Sequence, residues 1–337
     1  MSANVLEAAL VGLLPVLGFL AVLLYLDSYK LVKMRLVITI VAAGALIAGA
    51  SYVINGYALE AVRIDLTHFS RYVAPITEEL LKGLVVIALI RTHRIGFLVD
   101  AAIFGFAVGT GFATVENLYF LHLVPDAGMA TWIVRGLGTA IMHGGATAIF
   151  AVMGLAMLEQ TPKATVRGLV PGFGLAVVLH SAFNHLLMWP KLATLAILIV
   201  LPPLLYAVFQ RSEKAVGDWL GQGFDADTEM LELMNSGRLS NSPLGEYLIT
   251  LKSKFKGPVV ADLLCYLRLY TELALRAKGI LMMNESGFEV SVDEETHAKF
   301  DEMRYLESSI GKTGLLAIQP MCHMSHRDLW QLYMLGK

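Results

Sequence analysis

Long apolar stretches separated by short polar turns make up the chain as far as residue 210. A helix needs about 20 apolar residues to cross a hydrocarbon core of roughly 30 Å. Seven stretches reach or approach that length and predict about seven membrane-spanning helices, at residues 5–27, 36–58, 72–90, 97–121, 129–158, 168–188 and 192–209. Farther on, apolar residues recur three and four positions apart, as in 260–282, which is typical of amphipathic helices. The pattern therefore predicts an all-α protein, a polytopic membrane helix bundle followed by a mostly helical soluble domain.

The composition fits a membrane protein and changes after residue 210. Hydrophobic residues make up 56% of the chain, charged residues 16%, and the mean hydropathy is +0.63, outside the range of soluble globular proteins. Residues 211–337 instead hold 14 Lys or Arg and 18 Asp or Glu. We therefore expect a transmembrane domain at 1–210 and a helical domain at 211–337. In the latter, the helical pattern of 293–311 ends at Gly311, a residue suited to a helix C-cap.

Net charge and cysteine content limit the expected partners. The formal net charge is −2, so no basic signature indicates nucleic acid, and the expected surroundings are the lipid bilayer. The two cysteines, Cys265 and Cys322, both follow residue 210 and give no disulfide framework. The sequence carries no indication of a homo-oligomer.

The orientation follows from the Lys and Arg residues in the loops. Alternate loops hold nine against three of these residues, and cytoplasmic loops carry the excess. The first span is not preceded by a Lys or Arg, so it lacks the charged start of a cleaved signal peptide. We therefore expect a multi-pass protein of the cell (cytoplasmic or inner) membrane, with its N-terminus outside and the domain at 211–337 in the cytosol.

Several predicted spans contain ionisable residues, which cost roughly 2.5–3.5 kcal/mol each at a helix centre and usually mark function. They occur in PITEELLKG, FATVENLYF, MHGGA and HSAFNHLL, and with their amide neighbours they are Glu78, Glu79, Lys82, Glu116, Asn117, His143, His180 and Asn184. Counted from the predicted outer helix ends at about 1.5 Å per residue, most lie roughly 6–12 Å below the outer surface, and His143 lies deeper. Four helices are therefore expected to deliver polar groups to one layer.

Each of these residues also has a structural interpretation. Lys82 can pair with Glu78 or Glu79, but one lysine cannot neutralise two carboxylates. His180 and Asn184 can be interhelical hydrogen-bonding residues, and His143 a packing histidine. Arg135 is interpreted as a snorkelling side chain. The glycines of two spans allow close helix packing, namely Gly105, Gly109, Gly111, Gly144 and Gly145.

Four of these motifs together resemble the PrsW family of intramembrane proteases, part of a wider group with the CAAX prenyl proteases and the Abi proteins. They are EELLK at 78–82, FATVEN at 112–117, the span of His143, and HSAFN at 180–184. The resemblance covers roughly residues 70–190. The wider group usually has EExxxR and a histidine at the place of Glu116, and both departures agree with the PrsW branch.

The resemblance implies hydrolysis of a peptide bond in a single-span membrane protein, typified by anti-sigma factors, near its extracytoplasmic face. In that chemistry a buried carboxylate, Glu78 or Glu79, acts as general base toward water. His143 or His180 then holds the water or protonates the leaving amine, and Asn184 donates to the oxyanion. Lys82 adjusts the electrostatics of the two carboxylates. Asn117 supports the site, and Glu116 either orients a neighbouring residue or acts as a ligand.

Three alternatives stay open at this point. The preferred mechanism requires no cofactor, whereas a zinc ion would be held by Glu79, Glu116, His143 and His180. A proton- or ion-coupled transporter uses buried glutamates and histidines equally well. A seven-span sensor would instead bind a ligand at the polar cluster and signal through residues 211–337.

Overall fold

The structure is a computed structural model that describes residues 3–160, 166–185, 189–288, 290, 292–322 and 326–335. The last three residues of the predicted span 168–188 and most of the turn before it lie outside the described residues. Over the described ranges the chain is helical and contains no strand, which confirms the predicted all-α class.

The helices follow one another in the order that the hydrophobic pattern predicts. The bounds are α1 Ala3–Tyr25, α2 Met34–Val62, α3 Leu66–His68, α4 Ala74–Arg91, α5 Leu98–Leu123, α6 Met129–Ile133, α7 Ala140–Gln160, α8 Val170–His185, α9 Pro190–Asn235, α10 Pro243–Leu251, α11 Gly257–Glu285, α12 Glu294–Ile318 and α13 His326–Leu335. Turns of π-helix, Phe69–Val73 and Val134–Thr139, join α3 to α4 and α6 to α7. Over the residues that the structure describes, each predicted span thus lies mostly in helix.

Five helical segments are long and apolar enough to cross a membrane: Val5–Tyr25, Met34–Val62, Leu98–Leu123, Met129–Glu159 and Pro190–Asn235. The helices at the other two predicted spans, α4 and α8, are not among them. Helix α4 carries several charged side chains, and α8 is only 16 residues long. The exact number of seven spans stays a prediction.

The chain divides into two compact units, Met1–Glu213 and Lys214–Lys337, so the division comes three residues after the predicted one. It falls within α9, which continues as helix well beyond the predicted end of the last span. In the second unit, α11 is the main core helix, and Leu263, Leu267 and Leu273 are almost fully buried. Gly311, predicted to cap a helix, has φ 65° and ψ 175° at a kink inside α12.

Helix α5 is the central helix of the first unit, and its glycines let neighbouring backbones approach closely. A Cβ added to Gly109 would lie 2.3 Å from the carbonyl oxygen of His143 on α7. One added to Gly105 would lie 2.7 Å from the carbonyl oxygen of Thr147 on the same helix. Real Cβ atoms do not approach carbonyl oxygens this closely, so the predicted packing role of these glycines is confirmed. The close approach places His143 beside α5.

Candidate active site

Helix α4 supplies the centre of the site through two residues one turn apart. Lys82 Nζ donates to Glu79 Oε1 at 2.5 Å, and the two side chains are 0% and 2% exposed. Positions three apart share one helix face, so this pair is formed within α4. The opposite charges of the two buried side chains therefore neutralise each other. Of the two adjacent glutamates, Lys82 therefore forms its ion pair with Glu79.

Glu78 has different neighbours. Its Oε1 accepts a hydrogen bond of 3.1 Å from Asn55 Nδ2 on α2, and its Oε2 lies 3.8 Å from His180 Nε2. Thr77 in turn donates to Asn55 Oδ1 at 2.5 Å. Asn55 was not predicted as a site residue, although an amide inside the apolar stretch 36–58 was a sequence signal that pointed to it. Glu78 is thus held by an amide and faces an imidazole.

His180, on α8, bridges the two glutamates. Its Nδ1 lies 2.8 Å from Glu79 Oε1, on the opposite side of the ring from the Nε2 that faces Glu78. Glu79 accepts, so we assign the proton of neutral His180 to Nδ1 and the lone pair to Nε2. A carboxylate that accepts from one ring nitrogen of a histidine fixes the tautomer and the orientation of the ring. The lone pair therefore points at Glu78.

His143 belongs to the same network rather than to a deeper layer. Its Nδ1 lies 3.1 Å from Lys82 Nζ, and its Nε2 lies 2.9 Å from Glu116 Oε2. A lysine ammonium can only donate, so Nδ1 accepts and Nε2–H donates to Glu116. The depth count separated His143 from the other polar residues, but its contacts with Lys82 and Glu116 place it among them. Glu78, Glu79, Lys82, Glu116, His143 and His180 are called the six-residue network below.

Arg135 and Asn117 hold Glu116 from the other side. Arg135 Nη2 lies 3.2 Å from Glu116 Oε1, and Arg135 Nε donates to Asn117 Oδ1 at 2.9 Å. Asn117 Nδ2 donates to the carbonyl oxygen of Gly12 on α1 at 2.7 Å. The guanidinium also lies 3.6 Å from the ring centre of Phe120. The interpretation of Arg135 as a snorkelling side chain was wrong, because its charge is paired inside the bundle.

Asn184 lies at the edge of the site. Its Nδ2 donates to the carbonyl oxygen of Ser70 at 2.8 Å, and Ser181 donates to that of Arg71 at 2.6 Å. Both carbonyls belong to the π turn before α4. Within the described residues, no hydrogen bond or ion pair links Asn184 to the six-residue network. Its contacts dock α8 on the start of α4, and its predicted catalytic role stays a prediction.

Comparison with known proteins identifies the family of the chain. The family model of PrsW family intramembrane metalloproteases matches residues 33–208, which are 176 of the 337 residues. The chain belongs to the PrsW family. No curated protein and no solved structure gave a further match. The match confirms the resemblance stated from the motifs, and the PrsW segment contains every member of the six-residue network.

The description of PrsW proteins as metalloproteases implies a metal ion, and the network offers ligands for one. One ligand atom each from Glu78, His143 and His180 lies within 4.8 Å of the others. Two histidines and one glutamate are the ligands of a known class of catalytic zinc site. Both histidines were predicted as ligands, but Glu78 takes the place of Glu79 and Glu116. Those two glutamates are instead engaged by Lys82 and Arg135.

The types and the number of these ligands suit a zinc ion, but Lys82 contacts one of them, His143. His180 presents its Nε2 lone pair toward Glu78, as a ligand would. The Nδ1 lone pair of His143, however, accepts from Lys82, and its other nitrogen contacts Glu116. For His143 to act as a ligand, one of these two contacts must open. The PrsW site thus contains a lysine cation beside its candidate metal ligands.

Proposed function

We propose that this PrsW-family protein is an intramembrane endopeptidase in which Glu78 activates water to hydrolyse a peptide bond of a membrane-protein substrate. The observation that carries this assignment is the unequal pairing of the carboxylates. Glu79 has Lys82 and Glu116 has Arg135, whereas the described ion pairs give Glu78 only a histidine. Glu78 is therefore the carboxylate of the network with most capacity to take a proton.

The chemistry follows from these neighbours. Glu78 accepts a proton from water, the water oxygen bonds to the scissile carbonyl carbon, and the C–N bond then breaks as the proton passes to the leaving amine. His180 Nε2, which faces Glu78, is placed to share that proton. Glu79 and Lys82 hold the imidazole and fix the local charge. Asn184 has a second amide N–H besides the one given to Ser70, and this N–H supplies an oxyanion donor.

A metal-assisted form of the same hydrolysis is the second candidate, favoured by the grouping of Glu78, His143 and His180. These three residues would hold the ion. A bound zinc ion lowers the pKa of its water and polarises a carbonyl. Glu79 would keep Nδ1 of His180 protonated and its Nε2 directed at the site. Both forms use the same residues and differ in what activates the water.

We assign the substrate to the class of single-span membrane proteins, of which anti-sigma factors are the typical example. The cleavage site is assigned to a position near the extracytoplasmic face. The bias of Lys and Arg between the loops supports an outer position of the site, because it orients the N-terminus outside a cell membrane. The resemblance to PrsW proteins supports the substrate class. Residues 211–337 then lie in the cytosol.

The experiment is cleavage of a panel of tagged single-span proteins by the purified, detergent-solubilised full chain. Wild type is compared with Glu78→Gln and His180→Ala, with and without chelator, and Glu7→Gln, an exposed glutamate on α1, is the matched control. We expect both site variants to lose cleavage and the control to keep it. Equal cleavage by all variants would overturn the proposed site, and ion-flux and ligand-binding assays would then test transport and sensing.

A further inference from the structure

A lateral groove runs along the C-terminal half of α2. Helices α2 and α5 touch where they cross, since a Cβ added to Gly44 would lie 2.1 Å from the carbonyl oxygen of Val108. Beyond this crossing the two helices, together with α3 and the start of α4, leave a groove of about 840 Å³. Its walls include Val53, Leu59 and Val115 and are mainly apolar. The groove lies within the segment that matches the PrsW family.

The groove leads to the reachable part of the six-residue network. Glu78 and Glu116 both line it, and their side chains are 16% and 28% exposed. The other four members of the network are at most 3% exposed. A molecule in the groove would therefore meet the proposed catalytic carboxylate directly, while the charges behind it stay covered.

Hydrogen-bonding groups along the groove favour a polypeptide over a lipid chain. Tyr119 on α5 donates to the hydroxyl of Tyr52 on α2 at 3.2 Å, and both phenols retain acceptor capacity. The hydroxyl of Ser51 and the amide of Asn55 also line the groove, but they are bonded to each other, and Asn55 is bonded to Glu78 as well, so the two phenols carry this argument. An acyl chain needs no such groups. An unwound peptide does, because its backbone N–H and C=O groups need partners at membrane depth.

We propose that this groove binds the scissile segment of the substrate in an unwound, extended conformation, with α2 as the docking wall. The inference rests on the proposed function and adds where and in what form the substrate binds. Helical backbone hides each carbonyl in a hydrogen bond to the residue four positions on, so attack by water requires local unwinding. The substrate class is then a single-span segment whose helix is weak near the outer surface.

Two glycines with open surroundings provide a matched test. Gly56 lines the groove and Gly18 lies on α1, and a Cβ added at either position meets no atom within 4 Å. We expect Gly56→Trp to fill the groove and lower cleavage of a panel protein at least tenfold, and Gly18→Trp to leave it unchanged. If wild type cleaves and Gly56→Trp cleaves equally fast, the groove is not the binding site, although the protease assignment stands.

Photo-crosslinking gives a second readout that does not depend on cleavage. Benzoylphenylalanine is placed at position 56 or at position 18 of the full chain carrying Glu78→Gln. The probe is a tagged single-span protein with Gly-Gly in the outer third of its span. Capture at position 56 but not at position 18 supports the groove, even if the wild type cuts nothing. Equal capture at both positions, capture at neither, or capture of lipid alone at position 56 overturns it.

Discussion

Lys82 Nζ lies 2.5 Å from Oε1 of Glu79, and both side chains are buried. Because Lys82 pairs with Glu79, the adjacent residues Glu78 and Glu79 have different roles. Removing one partner of a buried pair leaves an uncompensated charge and costs about 3–5 kcal/mol. Glu79 is therefore tied to stability, and Glu78 is available for chemistry.

The first prediction concerns Glu78→Gln. The glutamine oxygen can still accept from Asn55, so the fold is expected to persist while the general base is lost. General-base catalysis contributes about 10²–10⁴-fold, and the cleavage rate should fall by that factor. Cleavage kinetics and thermal unfolding of the solubilised protein measure the two effects. A variant that cleaves at the wild-type rate would remove Glu78 from the mechanism.

The second prediction concerns Glu79→Gln. It leaves the Lys82 ammonium buried without its carboxylate, so the unfolding temperature should fall together with activity. The double variant Glu79→Gln/Lys82→Met removes both charges and should recover much of the lost stability, because no single charge is left. If Glu79→Gln abolished cleavage with no change in unfolding temperature, the role of general base would pass from Glu78 to Glu79.

The third prediction concerns metal removal. If Glu78 activates water directly, cleavage by wild type persists in a chelator, and elemental analysis finds no stoichiometric zinc. If Glu78, His143 and His180 hold a metal, chelation removes activity, added zinc restores it, and His180→Ala lowers the zinc content. We expect the first outcome, because the His143 Nδ1 lone pair already accepts from Lys82. Stoichiometric zinc in the wild type would contradict it.

The fourth prediction concerns the two thiols of the second unit. Cys265 is exposed and Cys322 is buried, and neither forms a disulfide. Burial raises the pKa of the Cys322 thiol to about 12, so almost no reactive thiolate is present near pH 7. A maleimide should therefore modify Cys265 in the folded protein and Cys322 only after denaturation, as mass spectrometry of peptides would show. Equal labelling of both thiols would contradict the packing around Cys322.

The fold was largely predictable because apolar stretches of membrane length leave little choice but helix. The sequence did not indicate the π turns Phe69–Val73 and Val134–Thr139. In the first of them, the carbonyl oxygens of Ser70 and Arg71 accept from Asn184 and Ser181 on α8, and the local sequence does not reveal such contacts between distant segments. The continuation of α9 to Asn235 was also missed, since hydropathy marks where apolar character ends and not where a helix ends.

The members of the site were predictable, but their pairing was not. A charged residue inside an apolar stretch has a high free-energy cost in a membrane, so it stands out in the sequence as a candidate for function. The members of the six-residue network were predicted in this way. Lys82 is four positions from Glu78 and three from Glu79, and both spacings allow a pair. The structure shows which glutamate forms the ion pair with Lys82, because Glu78 is bonded to Asn55 on α2 and Glu79 is bonded to His180 on α8. Asn55 was not predicted, because it lies in an apolar stretch that contains no charged residue near it, unlike Asn117 and Asn184.

The last prediction concerns the close approach of α5 and α7. A Cβ on Gly109 would lie 2.3 Å from the carbonyl oxygen of His143 and 2.6 Å from Cα of Gly144, and backbone atoms cannot turn aside as a side-chain end can. Gly109→Ala should therefore cost about 1–3 kcal/mol and displace His143 from Lys82. Thermal unfolding and cleavage kinetics measure these two effects.

The matched control is Gly18→Ala, because a Cβ at that position meets open space. In a helix interior this exchange stabilises by about 0.5–1 kcal/mol, so the control should unfold slightly later than wild type and cleave normally. The contrast separates loss of space from loss of a glycine. If Gly109→Ala unfolds and cleaves like the control, α5 and α7 do not approach closely, and the placement of His143 against Lys82 fails with them.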